Sequence, residues 1–211
     1  MSRPVTIEGL RVRLRDWRPD DLERMAFWLA PGQRWQELDA PYYPKPAPDD
    51  IPDLIAHRRA EIERADLPEP RMSMAIADRT GDEMIGMVSR DWESQETNWL
   101  CIGIVLYDPA SWRRGFGYEA LGLWSDELFG RMPDLARLDL RTWSGNTGMM
   151  RLAEKHGYIE EARFRNARIV DGRFFDGLGY GVLREEWTHR YPDGFATYVA
   201  GAEAIDRSTM S

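Results

Sequence analysis

The segment Arg113-Arg-Gly-Phe-Gly-Tyr118 brings two glycines and two arginines together at one point of the chain. It lies between the most apolar run, residues 98–107, and an amphipathic stretch, residues 115–131, with Tyr118, Leu121, Trp124 and Leu128 on one face. A strand that enters a helix through such a loop can hold an anion. Gly115 and Gly117 let the backbone approach a ligand closely, the first-turn N–H groups are free, and Arg113 and Arg114 add positive charge. The spacing is neither Gly-x-x-x-x-Gly-Lys-Ser/Thr nor Gly-x-Gly-x-x-Gly. Taken alone, the glycines serve a tight strand-to-helix turn equally well.

Proton transfer would fall to carboxylates. Asp91 and Glu93, at the end of the third strand, are the first candidates for a general base acting directly or through water, with Glu37 and Asp39 second. Each also reads as a solvated loop carboxylate. Trp35, Tyr42 and Tyr43 beside Glu37 and Asp39 could hold a cation by ring faces and charge, or could simply pack their loop onto the body. Cys101 lacks an accompanying His/Asn constellation and reads as a buried apolar side chain. His57, His156 and His189 have no ligand spacing, so no metal is expected.

These residues must be positioned by the surrounding elements. Residues 6–16 alternate, with Ile7, Leu10, Val12 and Leu14 apolar, and predict one half-buried strand. Asp20 or Asp21 caps a helix carrying Leu22, Met25, Phe27, Trp28 and Leu29. Residues 31–52 hold six prolines and cannot form a long regular element. Helical patterning resumes over 53–64. Strands follow at 71–78 and 83–91 around a turn at 79–82, then a strand at 98–107, the helix at 115–131, a strand at 135–143 and a helix at 146–156. Residues 158–170 and 173–187 form a strand pair turned at Asp171-Gly172; residues 188–211 are a short docked helix or a loose tail. The crossover between 107 and 135 is long enough for a parallel pair, and the tight turns elsewhere require antiparallel ones. The expected fold is α/β: a mixed, mostly antiparallel sheet of about seven strands with helices on both faces, in one domain over residues 1–187.

Composition narrows the class. A chain of 211 residues, 43% hydrophobic and 11% aromatic, buries a real core and is not disordered. No apolar run has membrane-spanning length, no secretory signal is visible, and a single cysteine excludes an intramolecular disulfide, so a soluble cytoplasmic protein is expected. A net charge of −8 disfavours nucleic acid and suits a cationic small molecule or basic peptide. Positive charge is nearly all arginine, with lysine only at Lys45 and Lys155.

Four segments in register resemble the GNAT superfamily of N-acetyltransferases. Arg114-Gly-Phe-Gly-Tyr-Glu119 resembles its Arg/Gln-x-x-Gly-x-Gly/Ala loop, and Ile102-Gly-Ile-Val-Leu-Tyr-Asp-Pro109 its splayed strand. Asn146-x-x-Met-x-x-Leu-Ala-Glu-Lys-His-Gly-Tyr158 is similar to its Asn-x-x-Ser/Ala…Lys-x-Gly-Phe signature. Leu10-Arg-Val-Arg-Leu-Arg-Asp-Trp-Arg-Pro-Asp-Asp21 is similar to the opening of the branch that includes ribosomal-protein alanine acetyltransferases.

The resemblance implies transfer of an acetyl group from acetyl-CoA to a primary amine, a protein N-terminus or a small amine. The alternative is a GNAT-fold module that binds acyl-CoA without catalysis. By the same resemblance, Arg113, Arg114, Gly115, Phe116, Gly117 and Tyr118 bind the pyrophosphate, Ile104, Val105 and Leu106 pair with the pantetheine arm, and Asn146 hydrogen-bonds it. Trp35, Glu37, Asp39, Tyr42 and Tyr43 fall on the acceptor side. The oligomeric state is open, a homodimer included. Four departures leave the catalytic acid and base unassigned: Glu119 stands where Gly or Ala would leave the loop's end uncrowded, Cys101 where many relatives carry glutamate, Met149 at the signature serine, and Ala153 where other branches place a tyrosine.

Overall fold

A computed structural model describes residues 4–64 and 66–209, with side chains through residue 204. The outer positions of the expected C-terminal segment, 210 and 211, lie outside the described residues, as do the first three of the chain. Eight strands form one sheet in the order β1-β2-β3-β4-β5-β6-β8-β7. They are β1 (Thr6–Glu8), β2 (Val12–Arg15), β3 (Ser73–Asp78), β4 (Met84–Ser94), β5 (Trp99–Leu106), β6 (Arg137–Trp143), β7 (Ile159–Val170) and β8 (Arg173–Leu183). The helices are α1 (Asp21–Leu29), α2 (Ile51–Glu63), α3 (Phe116–Arg131), α4 (Thr147–His156), α5 (Arg184–Arg190) and α6 (Phe195–Thr209). The fold is α/β and mostly antiparallel. β5 and β6 run parallel, joined by the α3 crossover.

Helices cover both faces. Val88, Ile102, Leu138 and Leu140 pack with Ala120, Leu121, Trp124 and Leu128 of α3. On the opposite face Ala75, Met87 and Val105 meet Trp17, Met25, Leu29, Ile51 and Ile55 around α1 and α2. Both clusters keep apolar surface from water, the main favourable term in folding. The chain after residue 187 returns to the body: Tyr191, Phe195 and Val199 are buried, and α6 lies on α3.

Two expected elements change form. The single strand over 6–16 is a hairpin, β1 and β2, closed by a bond from Gly9 N–H to Val12 O of 2.9 Å. The buried Glu119 carboxylate accepts the Arg11 N–H at 2.9 Å and sits where a Cβ on Gly9 would be. The strand expected over 173–187 stops at Leu183, where the Glu186 carboxylate accepts the Leu183 N–H at 2.8 Å and starts α5. Splitting the first strand gives eight strands where about seven were expected.

Among the described residues no helix is long and apolar enough to cross a membrane.

Candidate active site

The sheet opens at its centre. β5 and β6 pair only from Trp99 with Arg137 to Ile102 with Leu140. Beyond that point β5 continues to Leu106 along β4, while β6 continues to Trp143 along β8. Residues 103–106 thus have a main-chain edge with no strand beside it. The α3 N-terminus stands at the open end. Its approach contains two left-handed residues, Arg113 at φ 59° and Gly115 at φ 85°. The first helical bond runs from Glu119 N–H to Gly115 O, 3.0 Å, and no side chain caps the helix. The N–H groups of Phe116, Gly117 and Tyr118 therefore have no hydrogen-bond partner among the described residues, which leaves a concentrated positive end for an anion.

Gly117 has no packing reason to be glycine. A Cβ there would meet only Leu106 and Leu152, at 3.5 and 3.8 Å, ordinary van der Waals separations. As the second residue of α3, Gly117 leaves the first turn of the helix without a Cβ, which fits a surface left bare for a ligand. Arg113 and Arg114 are exposed beside it, Arg114 over the Phe116 ring at 4.8 Å.

Glu119 does not crowd this loop, contrary to expectation. Its carboxylate turns away into the β1–β2 turn and meets Arg11 at 3.9 Å. Arg11 in turn pairs with Glu203 of α6, and its side chain reaches within 3.7 Å of the space beside Gly115. Tyr118 offers the loop only its main chain. Its ring stacks on His156, 4.3 Å between centroids, and its carbonyl bonds His156 Nε2 at 2.8 Å. Burial lowers the His156 pKa to about 3, keeping the ring neutral.

Below the split, where β5 and β6 are still paired, the sheet carries titratable side chains. Asp91 and Glu93 lie on the sheet face that α3 does not cover, in register with Cys101 and its neighbours. Both are exposed; Glu93 pairs with Arg141 of β6 at 2.9 Å. Burial pushes the Cys101 thiol up to about 11, so it stays protonated.

The proline-rich loop bridges the parted ends of β5 and β6. Trp35 packs edge-on against Tyr107, just past β5, and Leu38 O accepts from Trp143 Nε1 at 2.9 Å and Asn146 Nδ2 at 3.2 Å. Asn146 also caps α4, its Oδ1 accepting the Met149 N–H at 3.0 Å. The expected clasp of the pantetheine arm is left with one free amide hydrogen, because the carboxamide already joins α4 to this loop. Trp35 is only 6% exposed and donates to Trp28 O at 2.7 Å. Lys45 Nζ lies 5.6 Å from the Trp35 ring centre and 3.4 Å from Asp39. Arg168 covers Tyr42 at 4.6 Å and reaches Tyr43 at 6.0 Å. Glu37 is exposed and makes no ion pair among the described residues.

Sequence reasoning brought together the loop, the split strand and the aromatic–acid cluster, and missed Arg11, Lys45, Arg141 and Trp143. Only Lys45 had a local signal, an ammonium among aromatic residues. Among the described residues no three His, Cys, Asp or Glu side chains gather as a metal site would require.

Comparison with known proteins agrees with this architecture. Residues 11–159 match the acetyltransferase (GNAT) domain family. An acetyltransferase (GNAT family) from Bacillus anthracis shares the fold at 18% identity and TM-score 0.68, over 86% of this chain and 100% of that one. A GCN5-related N-acetyltransferase from Brucella melitensis does so at 20% identity and TM-score 0.65, over 88% and 81%. A spermidine N-acetyltransferase from Vibrio cholerae, in complex with CoA and spermine, matches at 16% identity and TM-score 0.65, over 84% and 98%. No curated protein matches the sequence. With the family model covering most of the chain, from the β1–β2 turn to the first residue of β7, the chain belongs to the GNAT acetyltransferases, enzymes that use acetyl-CoA.

Proposed function

We propose that this chain transfers an acetyl group from acetyl-CoA to a primary amine by direct attack. The observation that carries the reading is the meeting, at one crevice, of an unpaired strand edge over residues 103–106 with the uncapped first turn of α3. When bound, acetyl-CoA supplies an acyl thioester. The chain's part is to hold and to orient. Amides of Phe116, Gly117 and Tyr118, with Arg113, Arg114 and the turn at Gly115, hold the diphosphate, and the edge at Ile104, Val105 and Leu106 lines up the pantetheine arm. The main-chain N–H of Ile104, which points away from β4, stabilises the oxyanion. Fixing both reactants in line supplies several kcal/mol of the barrier lowering, about what well-oriented intramolecular reactions show.

The protonated thiol of Cys101 disfavours an acyl-enzyme, which supports direct transfer. The amine must lose a proton first. Asp91 serves better than Glu93, because Arg141 already engages Glu93. Two acceptors fit: a protein N-terminus, by the resemblance of residues 10–21, and a small amine, the acceptor type of the Vibrio cholerae neighbour. A second reading, an acyl-CoA-binding module without transfer, is favoured by the chain's own cations filling the aromatic ring faces on the acceptor side.

The test has two parts. Acetyl-CoA at 100 times its Kd should stabilise the fold by about 2.7 kcal/mol in a thermal-shift titration. Release of free thiol across a panel of amines and basic N-terminal peptides then separates catalyst from binder. A folded protein with no shift would overturn both readings.

A further inference from the structure

We propose that the Trp35 ring face and the Asp39 carboxylate form the subsite for the acceptor's ammonium group, and that the Lys45 ammonium is its resident occupant, displaced when the acceptor binds. This deepens the amine-acceptor reading and rests on it.

The site is built rather than incidental. The indole is fixed at both ends, its N–H on Trp28 O and its edge on Tyr107. Asp39 lies next to Leu38, which Trp143 and Asn146 pin to the far side of the split. A rigid π face and a carboxylate thus meet beside the ends of β5 and β6, at the mouth of the split, so the subsite receives the ammonium on entry, ahead of its deprotonation deeper in the cleft, where Asp91 pairs with Cys101. Lys45 shows which chemistry fits there: a primary ammonium over the ring, 3.4 Å from the carboxylate, donating also to Asp39 O.

The resident is held weakly. Asp39 is more than half exposed, and such pairs hold long side chains with little net gain. Lys45 stands between Pro44 and Pro46 on a segment with no regular structure, so its release disrupts no ladder or helix. The contrast lies one ring away: Arg168 covers Tyr42 from a paired position in β7, opposite Phe175, so its side chain starts from a regular strand and not from an irregular loop. A guanidinium closes that ring face and an exchangeable ammonium guards this one, so primary amines are the class selected.

Lys45 and Lys155 are the only lysines, so ¹³Cε-lysine labelling of the full chain gives two signals. Lys155 lies over Tyr118, 4.1 Å from the ring centre, and serves as internal control. Titration with n-butylamine hydrochloride should move the Lys45 Hε signal from its ring-shifted position to that of free lysine, with Lys155 unmoved. Asp39→Asn should remove the response at millimolar amine, and Lys45→Met should lower the amine KM three- to tenfold, with the effect on KM rather than kcat. A Lys45 signal unchanged by amine, or an unchanged KM in Lys45→Met, overturns the subsite. If acetyl-CoA binds but no amine releases thiol, the transfer reading fails separately, and the titration still decides whether the ammonium exchanges.

Discussion

The loop ahead of α3 and the proline-rich loop ahead of α2 flank the same split in the sheet and are made of opposite materials. The first presents main chain: three N–H groups with no partner among the described residues, two left-handed residues that aim them, and a glycine that leaves the surface bare. The second presents side chains whose rings and charges already satisfy one another, Lys45 on Trp35 and Asp39, and Arg168 on Tyr42. A main-chain anion site depends on backbone position and tolerates sequence change around it. A side-chain site can be re-specified by one substitution, and its groups must be released before a ligand can use them. On the proposed reading, the comparison implies a preorganised donor side and an exchangeable acceptor side.

Substitutions test that division, and the donor side should be the more brittle. Gly117→Glu adds bulk and negative charge where a diphosphate would rest, so calorimetry should show CoA affinity lost by more than 100-fold, with the circular dichroism spectrum unchanged. Retained affinity would mean that the α3 turn is not the donor site. On the acceptor side, Asp91→Asn should lower kcat by about 10- to 100-fold, at the low end of what a positioned base contributes, and flatten the acidic limb of the pH–rate profile. Glu93→Gln should do less, and the reverse order would move the base to Glu93.

Rigidity behind the donor loop can be read from pH. His156 is buried and neutral between Tyr118 and Trp187, with its pKa lowered to about 3. The unfolded chain binds a proton below about 6.5 that the folded chain refuses, so this contribution is complete above pH 6.5 and is lost as pH falls toward 3. By pH 5 the loss is about 2 kcal/mol. Urea unfolding at pH 7 and pH 5 should show it in the parent chain, while His156→Phe, less stable at both, should lack it. An equal pH dependence in the two proteins would remove His156 as the buried brace. The smallest effect is expected from Trp143→Phe, which removes one hydrogen bond to Leu38 O, worth roughly 1 kcal/mol. It should raise the amine KM a few-fold and leave CoA affinity unchanged. A loss of CoA affinity in that variant would join the two loops into one unit.

Local chemistry marked the elements that the chain builds by itself. The β5–α3–β6 unit was legible because an apolar run, a glycine-bearing turn and an amphipathic helix follow one another with a crossover of parallel-pair length. The β1–β2 break was not, since the alternating pattern runs through it and the turn is held by Glu119, 108 residues away. The end of β8 was written in Leu183-Arg-Glu-Glu186, a capping sequence hidden by apolar alternation on either side.

By itself the sequence determined the glycine-bearing turn into α3, the parallel crossover and the gathering of aromatic and acidic residues in the proline-rich loop, since these depend on φ freedom, periodicity and residue type over short spans. Tertiary structure alone decided that Glu119 turns away from the loop, that Arg141 engages Glu93 while Asp91 stays open, and that Lys45 sits over Trp35. Those outcomes depend on which charged groups meet when distant strands and loops close together, and chain order does not encode that meeting locally.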